Sequence, residues 1–138
     1  MSAESLDFEY FRAMTPSVEG WPMVGPHKRK LGALPIETSA ATGEFGPGTG
    51  GMSVSPGSYW NIPNHRRPSA MGKGSTGPRG DHMFAISVPP LLAQSLMVRR
   101  DPEYPERHAF VESKMLRTHK DYSEALALTR ASWRRAWP

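Results

Sequence analysis

Residues 46–55 set a glycine run directly against two hydroxyls: Gly46, Pro47, Gly48, Thr49, Gly50 and Gly51 lead into Met52, Ser53, Val54 and Ser55. Glycine tolerates positive φ and has no Cβ, so such a turn can press main-chain N–H groups and the Ser53 hydroxyl against a ligand. The same residues also read as a linker that ends at a strand, because glycine punctuation takes its meaning from context. Three further polar residues, Arg12, His108 and Glu112, fall in stretches that read as strands. Groups on strands are held more precisely than groups on loops, so these three and Ser53 are candidates to converge on one cleft. Each also has a plainer role open to it. Arg12 can pair with Asp7 or Glu9, Ser53 can bond a neighbouring loop, His108 can be structural, and Glu112 can be a solvated strand end.

The elements that must hold these residues come from a chain of 138 residues, enough for one core and too short for two ordinary ones, so a single domain over 1–138 is expected. Hydrophobic residues make up 38% and there are 13 glycines and 14 prolines, which implies much irregular backbone rather than a helical bundle. With no cysteine, disulfides, thiolate zinc sites and a cysteine nucleophile are excluded. The net charge of +4 suits nucleic acid, phosphate-bearing ligands or an acidic protein partner without choosing among them. The opening residues are acidic where a secretory signal is basic and then apolar, and no apolar run reaches membrane-spanning length, so a soluble chain without a cleavable address is expected.

Aromatic content and alternation predict a first strand over 7–14, a second over 52–55, a third over 82–88, a fourth over 95–100 and a fifth over 107–112. In the last of these His108, Phe110 and Glu112 share one face. Prolines and glycines make 16–47 mostly loop, 63–80 reads as a mobile basic loop, Pro89 and Pro90 open a turn or short helix, and 101–106 is a turn-rich bridge. After Thr118 the period changes: Tyr122, Leu126, Thr129 and Trp133 recur at helical spacing, with Asp121 and Glu124 suited to the positive end of the dipole. Arg130, Arg134 and Arg135 read as cations of that helix's last turn rather than as a nucleic-acid patch. The fold class is α+β, with a small split or curved β core and a C-terminal helix.

The order of these pieces resembles a known family. Tyr10 to Ala13, then Gly46 to Val54, then Ser95 to Asp101, then Arg107 to Phe110, and finally Met115, Tyr122 and Trp133 are similar in order and approximate spacing to the small antibacterial toxins exported by type VI secretion. The fold of those toxins is similar to the diphtheria-type mono-ADP-ribosyltransferases. The resemblance implies NAD as substrate, action in a recipient cytoplasm, a cognate immunity protein of acidic character and a macromolecular target. It implies that Arg12 bonds ribose or phosphate oxygens, that Gly50 and Gly51 allow close approach, and that Ser53 anchors the nicotinamide-ribose end. It further implies a hydrogen bond from His108 to ligand or partner, and makes Glu112 the carboxylate facing an oxocarbenium-like centre. Transferases of this fold carry Glu or Gln two residues before that carboxylate, where this chain has Phe110.

Two other readings stay open. A metal-independent ribonuclease toxin would use a histidine pair from His65, His82 and His108, with Lys73, Arg66 and Arg67 on the phosphorane, and it is the reading under which nucleic acid is a partner. A basic adaptor without catalysis is the other. No His-x-x-x-His or carboxylate cluster is present, so no metal site is expected.

Overall fold

β1 (Glu9–Met14) is buried along its whole length beyond Glu9, as only a strand inside a sheet covered on both faces can be. The computed structural model describes residues 7–37 and 43–137; the acidic opening of the chain lies outside them. β2 (Met52–Pro56), β3 (His82–Ser87), α1 (Val88–Leu92), β4 (Leu96–Arg100), β5 (Ala109–Ser113), α2 (His119–Ala127) and β6 (Arg134–Trp137) follow. The six strands form one antiparallel sheet in the order β4-β5-β2-β1-β3-β6. The fold is α+β.

The sheet is split at its centre. β1 pairs with β3 at every position from Glu9 to Met14. With β2 it pairs only at Tyr10 with Pro56 and Phe11 with Ser55. The three strands β4-β5-β2 and the three strands β1-β3-β6 therefore meet at one end and diverge at the other.

Alternation sends the two sets of side chains to different layers. Tyr10, Met14, Met52, Val54, Phe84 and Val111 face the larger core, where α2 delivers Tyr122, Ala125 and Leu126 and where Phe45, Leu31 and Trp133 pack. Phe45 stacks on Tyr122 with ring centroids 4.3 Å apart. On the other face Phe11, Ala13, Met83 and Ala85 meet Ile62, Tyr59 and Met71 from the loop after β2. That loop is irregular, as its prolines and glycines require, but it is not loose. Arg67 is buried inside it and donates to Ser75 Oγ, the Ile62 and Lys73 carbonyls and Asn64 Oδ1.

α2 begins where Thr118 Oγ1 accepts from the Asp121 N–H, but it ends at Ala127. The expected continuation to Trp133 does not form. Thr129 Oγ1 donates to the Leu126 carbonyl and accepts from Trp133 Nε1, and a 3-10 turn at Arg130–Ser132 carries the chain into an edge strand. Trp133 still reaches the core, by a turn rather than by helix. Arg134 and Arg135 consequently sit on β6 and not in a last helical turn, and Arg134 Nε donates to Glu9 Oε2 at 2.7 Å. Among the described residues no helix is long and apolar enough to cross a membrane.

Candidate functional site

The split exists because Arg12 occupies it. Arg12 follows directly on the last β1–β2 pair, and its guanidinium takes the place of further strand bonds. Nη1 donates to the Ser53 carbonyl at 2.7 Å, Nη2 to the carbonyls of Lys30 at 3.0 Å and Gly32 at 3.3 Å, and Nε again to Lys30. The side chain thereby fastens the basic 27–32 loop to the centre of the sheet. Burial, then the neighbouring Arg66, push its pKa down to about 10, so it stays charged at neutral pH. A buried cation of this kind needs carbonyl acceptors around it, and it has them.

On the far side of the split lies a cavity of about 190 Å³ lined by Phe11, Arg12, Ser53, Ser55, Ile62, His65, Arg66 and His108, among others. A second space of about 580 Å³ shares Ser55, Ile62, Pro63, His65 and His108 with it and extends past Asn61 and Arg67 to Trp60, Tyr104 and Arg107. Together they form one continuous groove. Its lining holds several cations and no carboxylate, which favours an anionic ligand. Trp60 and Tyr104 stand at its outer end with cations over their rings, Lys73 Nζ at 4.8 Å from Trp60 and the Arg107 guanidinium at 5.2 Å from Tyr104.

His108 enters this groove from the hairpin between β4 and β5. The strand register ends with Arg100 opposite Ala109, so Asp101 and His108 form the next cross-strand pair and their side chains share a side. His108 Nδ1 lies 2.8 Å from Asp101 Oδ2, and the backbone N–H of Asp101 donates to the His108 carbonyl. Asp101 Oδ1 accepts from the Glu103 N–H. These two bonds, the one from His108 foremost, hold the Asp101 carboxyl below its usual range. The imidazole packs edge-on against Phe110 with centroids 4.7 Å apart, and Phe110 in turn lies under the Arg99 guanidinium.

Glu112 shares that face of the sheet but turns away from the groove. It is fully buried. Oε1 accepts from the Gly48 N–H at 3.1 Å, while Oε2 accepts from the Gly50 N–H at 2.9 Å and from Arg99 Nε at 3.0 Å. The glycine turn is thus folded around a carboxylate of its own chain. Gly50 has φ +89°, and a Cβ there would come 2.8 Å from the Glu37 carbonyl oxygen. At Gly51 a Cβ would come 2.3 Å from the Val111 carbonyl oxygen and 2.7 Å from the Tyr122 hydroxyl. Tyr122 needs that space: its hydroxyl donates to the Val111 carbonyl and accepts from the Met52 N–H at 2.9 Å, bridging β5 and β2. Burial raises the phenol's pKa. The close approach that the two glycines provide is to protein, not to the groove.

Of the residues singled out in the sequence, the structure therefore brings Arg12, Ser53 and His108 to one cavity and sets Glu112, Gly50 and Gly51 behind it. Of the three histidines considered for a pair, His65 and His108 line the groove. His82 lies on β3 beside Phe84 and is not among the lining residues. Asp101, Ser55, Trp60, Tyr104 and Arg107 belong to the site and were not singled out. For Asp101 the signal was present in the hairpin: its partner across the β4–β5 ladder is His108. No family model, curated protein or solved structure matches the chain.

Proposed function

We propose that the chain is an antibacterial toxin that consumes NAD, with the dinucleotide bound along the groove that opens from the split. The observation that carries this reading is the continuity of that groove, from a small chamber beside Ser53 and His108 to a cationic, aromatic outer end. The nicotinamide enters the chamber against Phe11 and Ile62, with Ser53 and Ser55 as polar neighbours. The diphosphate runs past Arg66 and Arg107, and the adenosine end reaches Trp60 and Tyr104. Cleavage sends the electron pair of the ribose–nicotinamide bond to the ring nitrogen, which leaves neutral while positive charge develops at the ribose. Arg12 has its donors committed to main-chain carbonyls, so its part is to hold the split open. Glu112 has the corresponding part for the glycine turn.

The toxin assignment, delivery by type VI secretion, action in a recipient cytoplasm and an acidic immunity protein rest on the resemblance in the sequence; the basic groove is the surface such a partner would cover. A second reading is favoured by one observation: His65 and His108 line the same groove as Arg66, the set a metal-independent ribonuclease would use for acid, base and phosphorane. Inducible expression in bacteria, with NAD content and RNA integrity followed together, separates the two. Falling NAD with intact RNA supports the first reading; degraded RNA at constant NAD overturns it in favour of the second.

A further inference from the structure

The hairpin that carries His108 into the groove also supplies a carboxylate for the far side of its ring. Asp101 and His108 are the first and last residues of the β4–β5 connection, closed by the Asp101 N–H to His108 carbonyl bond. The loop between them is tied down on its own account. Tyr104 N–H donates to the Asp101 carbonyl, Arg107 and His108 N–H donate to the Tyr104 carbonyl, and Asn61 Nδ2 donates to the Glu106 carbonyl from across the groove. Neither partner is fully exposed: the side chains keep 31% and 17% of their surface, for His108 and Asp101 respectively. An ionised carboxylate has no proton to give, so the 2.8 Å contact between Oδ2 and Nδ1 requires the proton to be on Nδ1. In the neutral imidazole Nε2 is then the acceptor.

We propose that Asp101 is a positioning residue that fixes His108 in the Nδ1–H tautomer, so that Nε2 serves as the general base toward a water attacking the ribose in the groove. The inference rests on the NAD reading for the identity of the substrate. In the step, the water oxygen forms a bond to the ribose carbon that bears nicotinamide, and the bond from that carbon to the nicotinamide nitrogen breaks with its electron pair going to the nitrogen. The water proton passes to Nε2, and the imidazolium, held against the Asp101 carboxylate, returns it to solvent. The other groups around the ring are Arg99 behind Phe110 on β4, His65 and Arg66 from the loop after β2, and Tyr104 and Arg107 within the hairpin. Asp101 is the carboxylate in contact with the ring, at 2.8 Å from Nδ1.

Two measurements on the full chain test the pair. Long-range ¹H–¹⁵N correlation spectra report which ring nitrogen carries the proton, independently of any substrate. The expected result is a neutral His108 protonated on Nδ1 in the wild type and shifted toward the Nε2–H form in Asp101→Asn, with the amide spectrum otherwise intact. A wild-type His108 protonated on Nε2 overturns the proposal. In NAD hydrolysis, Asp101→Asn should lower kcat about 100-fold with little change in KM. Asp101→Glu should recover part of the rate. A wild-type rate in a folded Asp101→Asn protein overturns the proposal even if NAD is the substrate. A wild type that leaves NAD intact overturns the NAD reading and with it the ribose step, whatever the tautomer.

Discussion

Arg12 and Glu112 are the two buried charges that the sequence suggested for ligand chemistry, and both are spent on the protein itself, Arg12 on the backbone and Glu112 on the backbone and Arg99. Each satisfies main-chain groups that strand pairing leaves over: Arg12 the carbonyls of Ser53, Lys30 and Gly32, Glu112 the N–H groups of Gly48 and Gly50. Glu112→Gln replaces one acceptor oxygen with a donor that faces other donors. Because Arg99 keeps about a third of its surface, the loss should be about 2–3 kcal/mol, below that of a fully buried broken pair. Urea denaturation measures it, and under the proposed NAD reading the folded fraction should cleave NAD nearly as the wild type does, since Glu112 does not line the groove. Arg12→Lys should cost about 3 kcal/mol by leaving two or more buried carbonyls unpaired, because an ammonium cannot span the fork. Under the proposed NAD reading, a variant with wild-type stability but weaker NAD binding than the wild type would instead return Arg12 to the ligand. What the sequence could offer at this scale was residue type and strand face. It offered Arg12, Ser53, His108 and Glu112 to one cleft, of which Arg12, Ser53 and His108 line one cavity and Glu112 does not, because partner choice depends on which strands lie side by side, and that is a long-range property.

The elements were more legible than their junctions. Five of the strands and α2 stand where alternation and period placed them, to within two residues at most boundaries, because each buries a stripe that its own sequence declares. β6 was missed because Thr129 and Trp133 have helical spacing and do meet, through an indole–hydroxyl bond across a tightened turn. The split was anticipated only as an alternative to a curved sheet. The pairing of β1 with β2 stops after Phe11 because the next residue on β1 is Arg12, and only the fold shows its acceptors on the neighbouring strand and loop. Gly51 tests the junction of β2, β5 and α2 most sharply. Gly51→Ala puts a methyl group inside contact distance of the Val111 carbonyl and the Tyr122 hydroxyl, so either the bridge between the strands or the seat of α2 must shift. Overpacking of this kind costs about 1–3 kcal/mol, and a rigid carbonyl as the obstacle places the expected loss at the upper end. Thermal unfolding should show it, with protection of the β2 and β5 amides falling in hydrogen exchange. An unchanged melting temperature would mean that the junction yields to the added methyl group and that Tyr122 does not need the space.

The whole molecule should lose stability toward acid in two stages, each set by a different group. His82 on β3 has its pKa lowered, first by burial and then by Arg135 on β6. The unfolded chain therefore takes up its proton at higher pH than the folded protein does, and stability begins to fall as pH drops below about 6.5. Glu9 and Asp101 have their carboxyls lowered by hydrogen bonds to Arg134 and His108 respectively. Their contribution is fully present above the unfolded carboxyl range of about 4 and is lost as pH falls through the lowered folded values. Since β3, β6 and β1 are consecutive partners in the sheet, all but Asp101 act on the same half of it. Urea midpoints measured from pH 8 to pH 3 should therefore decline gently below about pH 6.5 and steeply below about pH 4. His82→Gln removes the titrating ring while keeping a polar side chain at the start of β3, and it should abolish the gentle stage and leave the steep one. Arg134→Gln should do the reverse, blunting the steep stage through Glu9. If both variants track the wild type across the range, the ion pair at Glu9 and the half-buried ring at His82 are not coupled to folding, and the closure of the sheet by β6 is weaker than its hydrogen bonds suggest.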